Sequence, residues 1–266
     1  MMKETILKLL PTECPWGDTL YWYDETDSTN TRLKELARSG APSGTVVVAG
    51  CQSAGRGRLG RSFHSPEGLG LYLSVLLRPE CRPEELMHLT CATAVAVCHG
   101  IEAVTGVRPS IKWINDLVLS RRKLGGILTE LSVDPKTGLV DYAIVGIGIN
   151  CRHRSEDFPP ELQDIATSFH MEGMDMEPAP LAAALITALH RMDGKLFSEK
   201  SAVMTQYRRD CITLGQEITI CRFDTRQSAR ALDVDEDGAL VAVLPDGTVQ
   251  HVASGEVSVR GLYSYI

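Results

Sequence analysis

Apolar and polar positions alternate in short blocks along the first 150 residues, and these blocks predict strands and helices in turn. The predicted strands cover residues 20–23, 45–49, 69–77, 111–113, 117–119, 126–131 and 140–149. One helix is predicted to open at residues 27–30, whose side chains suit a helix cap, and to end before Gly40. A longer helix is predicted from Pro83 to about Thr105. This mixture of helices, strands and hairpins predicts a mixed sheet flanked by helices.

The pattern changes twice in the second half of the chain. After Pro159-Pro160 it predicts helices over residues 180–197 and 201–211. From Gly215 onward it predicts short strands at 218–221, 228–234, 239–244, 249–252 and 257–259, separated by turns such as Asp237-Gly238. Such a sequence is typical of a small β-barrel that packs on a larger domain. The predicted organisation is therefore an N-terminal extension (1–19), a catalytic domain (20–213) and a C-terminal barrel (214–266).

Composition narrows the function classes. The chain has 266 residues, 44% of them hydrophobic, and a net charge of -7, which argues against broad binding of nucleic acid or of anionic membranes. The apolar stretch 86–104 contains His88, His99 and Glu102, so it predicts a buried helix and no membrane span. Eight cysteines without Cys-x-x-Cys or zinc-like spacing predict reduced thiols in a cytoplasmic protein without a structural metal. We see no secretion signal at the N-terminus.

One loop concentrates glycines and arginines directly after a predicted strand. Gly55, Gly57 and Gly60 fit the dinucleotide pattern G-x-G-x-x-G, and residues 55–62 fit a P-loop if Arg61 replaces its lysine. Both motifs need a helix immediately afterwards, whereas residues 63–68 lead into a predicted strand, so the sequence disfavours both. A loop without a ligand would leave three arginines crowded together without an anion. We therefore expect this loop to close over a small anion.

Five segments together carry a family resemblance. They are residues 27–30 (DSTN), Gln52 with 55–61 (GRGRLGR), 111–116 (IKWIND), 122–130 (RKLGGILTE) and 146–150 (GIGIN). From about residue 20 to the C-terminus the chain closely resembles the biotin protein ligase (biotin–[acetyl-CoA-carboxylase] ligase) family. The resemblance implies an α+β fold, in which a mixed sheet flanked by helices (class II aminoacyl-tRNA synthetase-like) is followed by a small SH3-like barrel.

The same resemblance implies an AMP-forming ligase (EC 6.3.4.15). Biotin and Mg-ATP would give biotinyl-5′-AMP, and a lysine of a biotin carboxyl carrier domain would then take the biotin. Cations are needed because two anions, the biotin carboxylate and the α-phosphate, must meet. The implied catalytic residues are Lys112, Arg56 and Arg58. The implied biotin-binding residues are Ser28, Thr29, Asn30, Gln52, Arg56, Gly57, Arg58, Lys112, Gly126, Gly146 and Gly148. The implied ATP-binding residues are Arg58, Arg61, Phe63, Lys112 and Asn150. Mg²⁺ would be held mostly by the ATP phosphates, without a protein cage.

Some assignments keep a structural alternative at this stage. Lys112 could be a surface lysine at the end of a strand, Ser28 and Thr29 could cap a helix, and Asn115-Asp116 could only shape a turn. The chain departs from the family pattern at Ile114, where proline is common, and at Phe63, where tryptophan is common. Neither change removes a charged group.

The expected partner is the carrier domain of a biotin-dependent carboxylase. Some family members also carry an N-terminal helix-turn-helix domain and act as repressors. Only some twenty residues precede the predicted catalytic domain, so we expect a single-function ligase that binds neither DNA nor membranes. Family members can form a homodimer side by side through the sheet, and the residues alone leave open whether this chain does so. A lipoate ligase or octanoyl transferase is the alternative enzyme, and a biotin or nucleotide sensor is the non-enzymatic alternative.

Overall fold

A seven-stranded sheet forms the centre of the protein. A computed structural model describes residues 2–222, 225–253 and the backbone of 257–261. The strands are β1 (Leu20–Thr26), β2 (Val46–Gln52), β3 (Gly70–Leu77), β4 (Ser110–Lys112), β5 (Asp116–Leu119), β6 (Arg122–Val133) and β7 (Val140–Asn150). Their order is β1-β2-β3-β7-β6-β5-β4. Only β1 and β2 run parallel, and every other described pair in this sheet is antiparallel.

Helices cover both faces of this sheet, which confirms the predicted mixed sheet flanked by helices. They are α1 (Met2–Leu9), α2 (Thr29–Arg38), α3 (Leu89–Thr105), α4 (Pro178–Asp193) and α5 (Lys200–Asp210). Helix α2 lies on one face, where Leu33 and Ala37 pack against Val47, Leu76 and Ile144 of the central strands. Helices α3 and α4 pack against each other and against the opposite face, in the main hydrophobic core. The N-terminus of α2 consequently lies beside the end of β2, where the arginine-rich loop (residues 53–62) begins.

A second, all-β unit follows α5, as the strand pattern predicts. Its strands are β8 (Glu217–Arg222), β9 (Thr225–Val234), β10 (Leu240–Val243), β11 (Val249–Val252) and β12 (Val257–Gly261), in the order β11-β10-β9-β8-β12. Trp113 joins this unit to the larger sheet: its indole N–H donates to Gly238 O at 3.0 Å, and its backbone N–H donates to Thr213 Oγ1 at 2.9 Å. The turn after β4 is thereby fixed from both sides.

Two helix predictions need correction. The helix predicted over residues 83–105 is divided into a 3-10 turn (Pro83–Leu86) and α3, and the predicted helix 180–197 ends at Asp193. Helix α1 has no counterpart in the prediction, and its eight residues bury a single side chain, Ile6. Within the segment Pro83–Thr105, an 18-residue stretch has a mean hydropathy of 1.3, and 67% of that stretch is buried in the fold. As predicted, the helical part of this segment, α3, belongs to the core.

Candidate active site

A cavity of about 490 Å³ opens between the N-terminus of α2, the arginine-rich loop and strands β6 and β7. It gathers most of the residues that the sequence predicts for the site. They are Ser28, Thr29, Asn30, Gln52, Arg56, Gly57, Arg58, Arg61, Phe63, Lys112, Gly126, Gly146 and Gly148. These residues come from five separate parts of the chain, so the sheet register is what assembles them.

Neutral polar groups form one end of the cavity. The Thr29 backbone N–H and hydroxyl donate to Gln52 Oε1 at 2.9 and 3.1 Å, and Gln52 Nε2 donates to Ser65 Oγ at 2.9 Å. Ser28 occupies the N-cap of α2 and is buried, yet its hydroxyl makes no capping hydrogen bond. The capping alternative therefore does not describe the Ser28 side chain. This end offers uncharged donors and acceptors that are already held in place.

Two glycines let side chains lie directly on the sheet. A Cβ atom on Gly146 would lie 2.1 Å from Asn30 Oδ1, and one on Gly148 would lie 2.4 Å from the Phe63 ring. Real Cβ contacts are not that short, so a larger residue at either position would have to displace the Asn30 or the Phe63 side chain. Gly126 differs, because a Cβ atom there would meet nothing nearer than 3.5 Å. At Gly126 the absent side chain leaves the strand backbone open to the cavity.

The arginine-rich loop, residues 53–62, is a short hairpin. Gly57 N–H donates to Arg61 O at 2.7 Å, Phe63 N–H donates to Gly55 O at 2.8 Å, and a bridge joins Arg56 to Ser62. Leu59 (φ 56°) and Gly60 (φ 72°) make the reversal. The chain then enters β3 without a helix. Both the dinucleotide motif and the P-loop hold phosphates at the N-terminus of the helix that follows the glycines. No helix follows this loop, so both interpretations fail.

Five cationic side chains line the cavity, and Asp116 is the one carboxylate among its described lining residues. The cations are Arg56, Arg58, Arg61, Lys112 and Lys123. Arg58 crosses to the opposite wall, where its Nη1 donates to Asn115 Oδ1 at 3.2 Å. Burial lowers the pKa of Arg58, and the nearby Asp116 charge opposes that shift. An arginine stays protonated under such conditions, so the cavity keeps a strong positive potential.

Lys123 also lines the cavity, although it is not among the site residues that the sequence predicts. Its Nζ lies 2.6 Å from Asp116 Oδ1, and its backbone pairs with residues 165–167 through Lys123 N–H to Ile165 O at 2.7 Å. That pairing also brings Leu162 and Ile165 to the cavity as an apolar wall. The available signal was its place in the RKLGGILTE segment. Strand β6 starts at Arg122, four residues ahead of the predicted strand 126–131, so Lys123 lies within the strand.

Comparisons with known proteins agree with this arrangement. Residues 22–150 match the family model described as Biotin/lipoate A/B protein ligase family, and residues 213–260 match Biotin protein ligase C terminal domain. The bifunctional ligase/repressor BirA of Bacillus subtilis is 32% identical over 243 residues, 91% of this chain and 74% of that protein. The biotin protein ligase from Aquifex aeolicus, solved in complex with biotin and ATP, superposes with a TM-score of 0.77 at 31% identity, covering 91% of this chain and 99% of that one.

The chain belongs to the biotin protein ligase family. The biotin--[acetyl-CoA-carboxylase] ligase of Mycobacterium tuberculosis is also similar, with 28% identity over 88% of this chain and 86% of that protein. The family resemblance carried by the five sequence segments is thereby confirmed, as is the α+β fold with an SH3-like C-terminal domain. The chain is accordingly a ligase enzyme with the fold of biotin protein ligases.

Within this ligase fold, one predicted nucleotide-binding residue lies away from the cavity. Asn150 is buried, and its Nδ2 donates to Thr167 O at 2.9 Å, so the side chain ties β7 to the segment that carries Ile165. Phe63 and Ile114, the two departures from the family pattern, occupy defined positions in the structure. Phe63 lines the cavity, and Ile114 is buried with its carbonyl accepting a hydrogen bond from the Tyr207 hydroxyl at 3.1 Å.

Proposed function

We propose that this chain activates biotin with ATP to biotinyl-5′-AMP and transfers the biotin to a lysine of a biotin carboxyl carrier domain. The observation that carries the proposal is a single cavity lined both by neutral hydrogen-bonding groups beside the N-terminus of α2 and by five cations. The neutral end suits the uncharged ureido ring of biotin, and the cations suit a carboxylate beside a triphosphate. The Aquifex aeolicus relative, whose structure was solved with biotin and ATP, supports the same pair of substrates.

In the first step, a carboxylate oxygen of biotin attacks the α-phosphorus of ATP, and the bond to the pyrophosphate oxygen breaks. Both reactants are anions, so the site must offset their repulsion as they meet. Arg56, Arg58, Lys112 and Lys123 supply positive charge, and it counts for more because Lys112 is only 7% exposed. Arg61 and Phe63 complete the nucleotide side, where an aromatic face can stack on a purine.

Magnesium fits this cavity as an ion carried by the triphosphate. Asp116, the one carboxylate among the described lining residues, is already paired with Lys123. Within the described residues there is no group of three His, Cys, Asp or Glu side chains that could hold a metal. When bound, Mg²⁺ would withdraw charge from the leaving pyrophosphate. The protein's own contribution is to keep its arginines and lysines around the phosphates.

In the second step, the neutral amine of a carrier lysine attacks the acyl carbon of the adenylate. The bond from that carbon to the AMP oxygen breaks, AMP leaves, and the amine proton passes to solvent. Biotinyl-AMP also reacts with water, so the arginine-rich loop has to shield it until the carrier arrives. The Arg58–Asn115 hydrogen bond across the cavity supports this shielding role. The names of relatives that act on acetyl-CoA carboxylase support a carboxylase carrier as the partner.

We propose a ligase that does not bind DNA, because a net charge of -7 argues against broad contact with a phosphate backbone. We further propose a cytoplasmic location, which is supported by eight free cysteines.

The deciding experiment is biotin-dependent ATP–pyrophosphate exchange, followed by addition of a biotin carboxyl carrier domain and intact mass spectrometry. The expected result is exchange that needs biotin, then a biotin-sized mass gain on the carrier lysine. Exchange without a mass gain would mean either the wrong carrier or an adenylate-holding regulator. Exchange with lipoate in place of biotin would move the assignment to the lipoate branch of the family.

A further inference from the structure

Glu130 binds three side chains from two different elements, Asn30 and Lys34 from α2 and Arg56 from the arginine-rich loop. The Lys34 Nζ lies 2.6 Å from Glu130 Oε1, Asn30 Nδ2 donates to Oε2 at 2.9 Å, and Arg56 Nη1 lies 3.0 Å from Oε1. Arg56 and Asn30 line the cavity, whereas Glu130 and Lys34 stand outside its described lining. Glu130 therefore acts on the site only through the residues that it holds.

The Glu130 carboxylate keeps its charge in this position. Burial raises the pKa of Glu130, but the hydrogen bonds from Lys34 and Asn30 and the charges of Lys34 and Arg56 outweigh burial, so the pKa is lowered overall. The ionised carboxylate can accept a hydrogen bond from each of the three partners. Its side chain is 18% exposed, whereas that of Arg56 is 44% exposed. Without this contact, the long Arg56 side chain would have freedom to leave the cavity wall.

A buried hydrogen-bond network continues from Glu130 to the base of the arginine-rich loop. Asn30 donates to Glu130 through Nδ2, and its Oδ1 accepts from Ser74 Oγ at 2.6 Å. The fully buried Ser74 hydroxyl also lies 2.7 Å from Thr29 Oγ1, which contacts Gln52 Oε1 at 3.1 Å. Gln52 is the last residue of β2, immediately before the loop. The loop is thus tied to the same network at its base and, through Arg56, within the hairpin.

We propose that Glu130 is a positioning residue for Arg56, holding this arginine and the loop around it over the cavity before the substrate anions arrive. The contact uses Nη1 of the guanidinium, so Nε and Nη2 can still serve an anion. An arginine that is already ordered loses less side-chain entropy when the anion binds. This inference rests on the proposed ligase function, and it predicts effects on biotin binding and on retention of the adenylate.

The test replaces Glu130 with glutamine, which keeps the size and an oxygen for Asn30 but removes the charge. We expect the KM for biotin in pyrophosphate exchange to rise about threefold to tenfold, with kcat within about twofold, because the lost contact is partly exposed. We also expect more free biotinyl-AMP per transfer to the carrier. Lys34→Ala is the matched control: it removes the other cationic partner of Glu130 and leaves Arg56 in place, so both readouts should stay at the wild-type level.

A double-mutant cycle distinguishes positioning from a general structural role. In an Arg56→Ala background, Glu130→Gln should add no further change to either readout. The proposal is overturned by an unchanged Glu130→Gln enzyme, by an equal effect of Lys34→Ala, or by additive effects with Arg56→Ala. If Glu130→Gln does not fold, Arg56→Lys tests the same contact from the other side, and an unchanged KM there also overturns it. A wild-type protein without biotin-dependent exchange would instead refute the proposed function.

Discussion

The Lys123 ammonium lies 2.6 Å from Asp116 Oδ1, between neighbouring strands β6 and β5 at the wall of the cavity. The Asp116 carboxylate balances the charge of Lys123, so the lysine is held at the cavity without being an unpaired buried cation. The exposed fractions of the Lys123 and Asp116 side chains are 29% and 18%, so the pair is only partly shielded from water. An incoming phosphate or carboxylate can therefore compete for Lys123 at moderate cost.

We predict that Lys123→Met and Lys112→Met each lower the rate of adenylation by about 100-fold to 1000-fold, as the loss of one preorganised charge donor typically does. Methionine keeps much of the length of lysine without its charge. Pyrophosphate exchange at saturating biotin and ATP measures the effect. Asp116→Asn, which keeps an acceptor oxygen near Lys123, should cost less than about tenfold. Near-normal exchange in both lysine variants would rule out a cationic role for this wall.

Arg58→Gly should separate formation of the adenylate from its retention. The Arg58 side chain spans the cavity to Asn115, so its loss opens the loop while other cations remain. We expect partial adenylation, together with release of biotinyl-AMP that a filter-trap assay can measure. Arg121→Gly is the control, because Arg121 lies in an exposed turn with φ 64°, which glycine adopts readily. Wild-type retention of the adenylate by the Arg58 variant would contradict the shielding role.

Gly148→Ala should push the Phe63 ring off the sheet, since the new Cβ would lie 2.4 Å from that ring. We expect the free energy of unfolding to fall by about 1–3 kcal/mol, as overpacking generally costs, and the KM for ATP to rise. Gly194→Ala provides the matched comparison, because its Cβ would meet nothing nearer than 3.9 Å. Urea unfolding of the two variants should differ clearly, and equal stabilities would show that Phe63 relocates freely.

The sequence could predict the parts of the site that depend on local pattern. The strands beside Gly146 and Gly148 are apolar runs, and the arginines of the loop follow one such run directly. Lys123 could not be found in this way, because its position depends on pairing with residues 165–167, far along the chain. Asn150 illustrates the opposite problem: its backbone ends β7 beside the site, but its side chain turns to Thr167. Local pattern gives the strand, and long-range contacts decide which way a terminal side chain points.

We predict that the protein loses stability at mildly acid pH. His153 is fully buried and stacks on Phe158 with ring centroids 4.7 Å apart, while His64 lies 6.1 Å away. Burial, reinforced by the His64 charge and opposed by Asp157, lowers the pKa of His153 to about 4 from its ordinary value of 6.5. Below pH 6.5, His153 becomes protonated in the unfolded chain, whereas in the folded protein it stays neutral down to about pH 4. Stability should therefore fall across this window, by up to about 3 kcal/mol from this histidine.

The measurement is urea unfolding of the wild type and of His153→Phe between pH 7.5 and 4.5. Phenylalanine keeps an aromatic stack on Phe158 but has no titrating group, so the variant should lose a large part of the pH dependence whatever its stability at neutral pH. His170→Gln, which changes an exposed histidine, should keep the wild-type slope. Parallel pH profiles for the wild type and His153→Phe would mean that another group carries the acid sensitivity. The slope, and not the absolute stability, is what assigns the effect to His153.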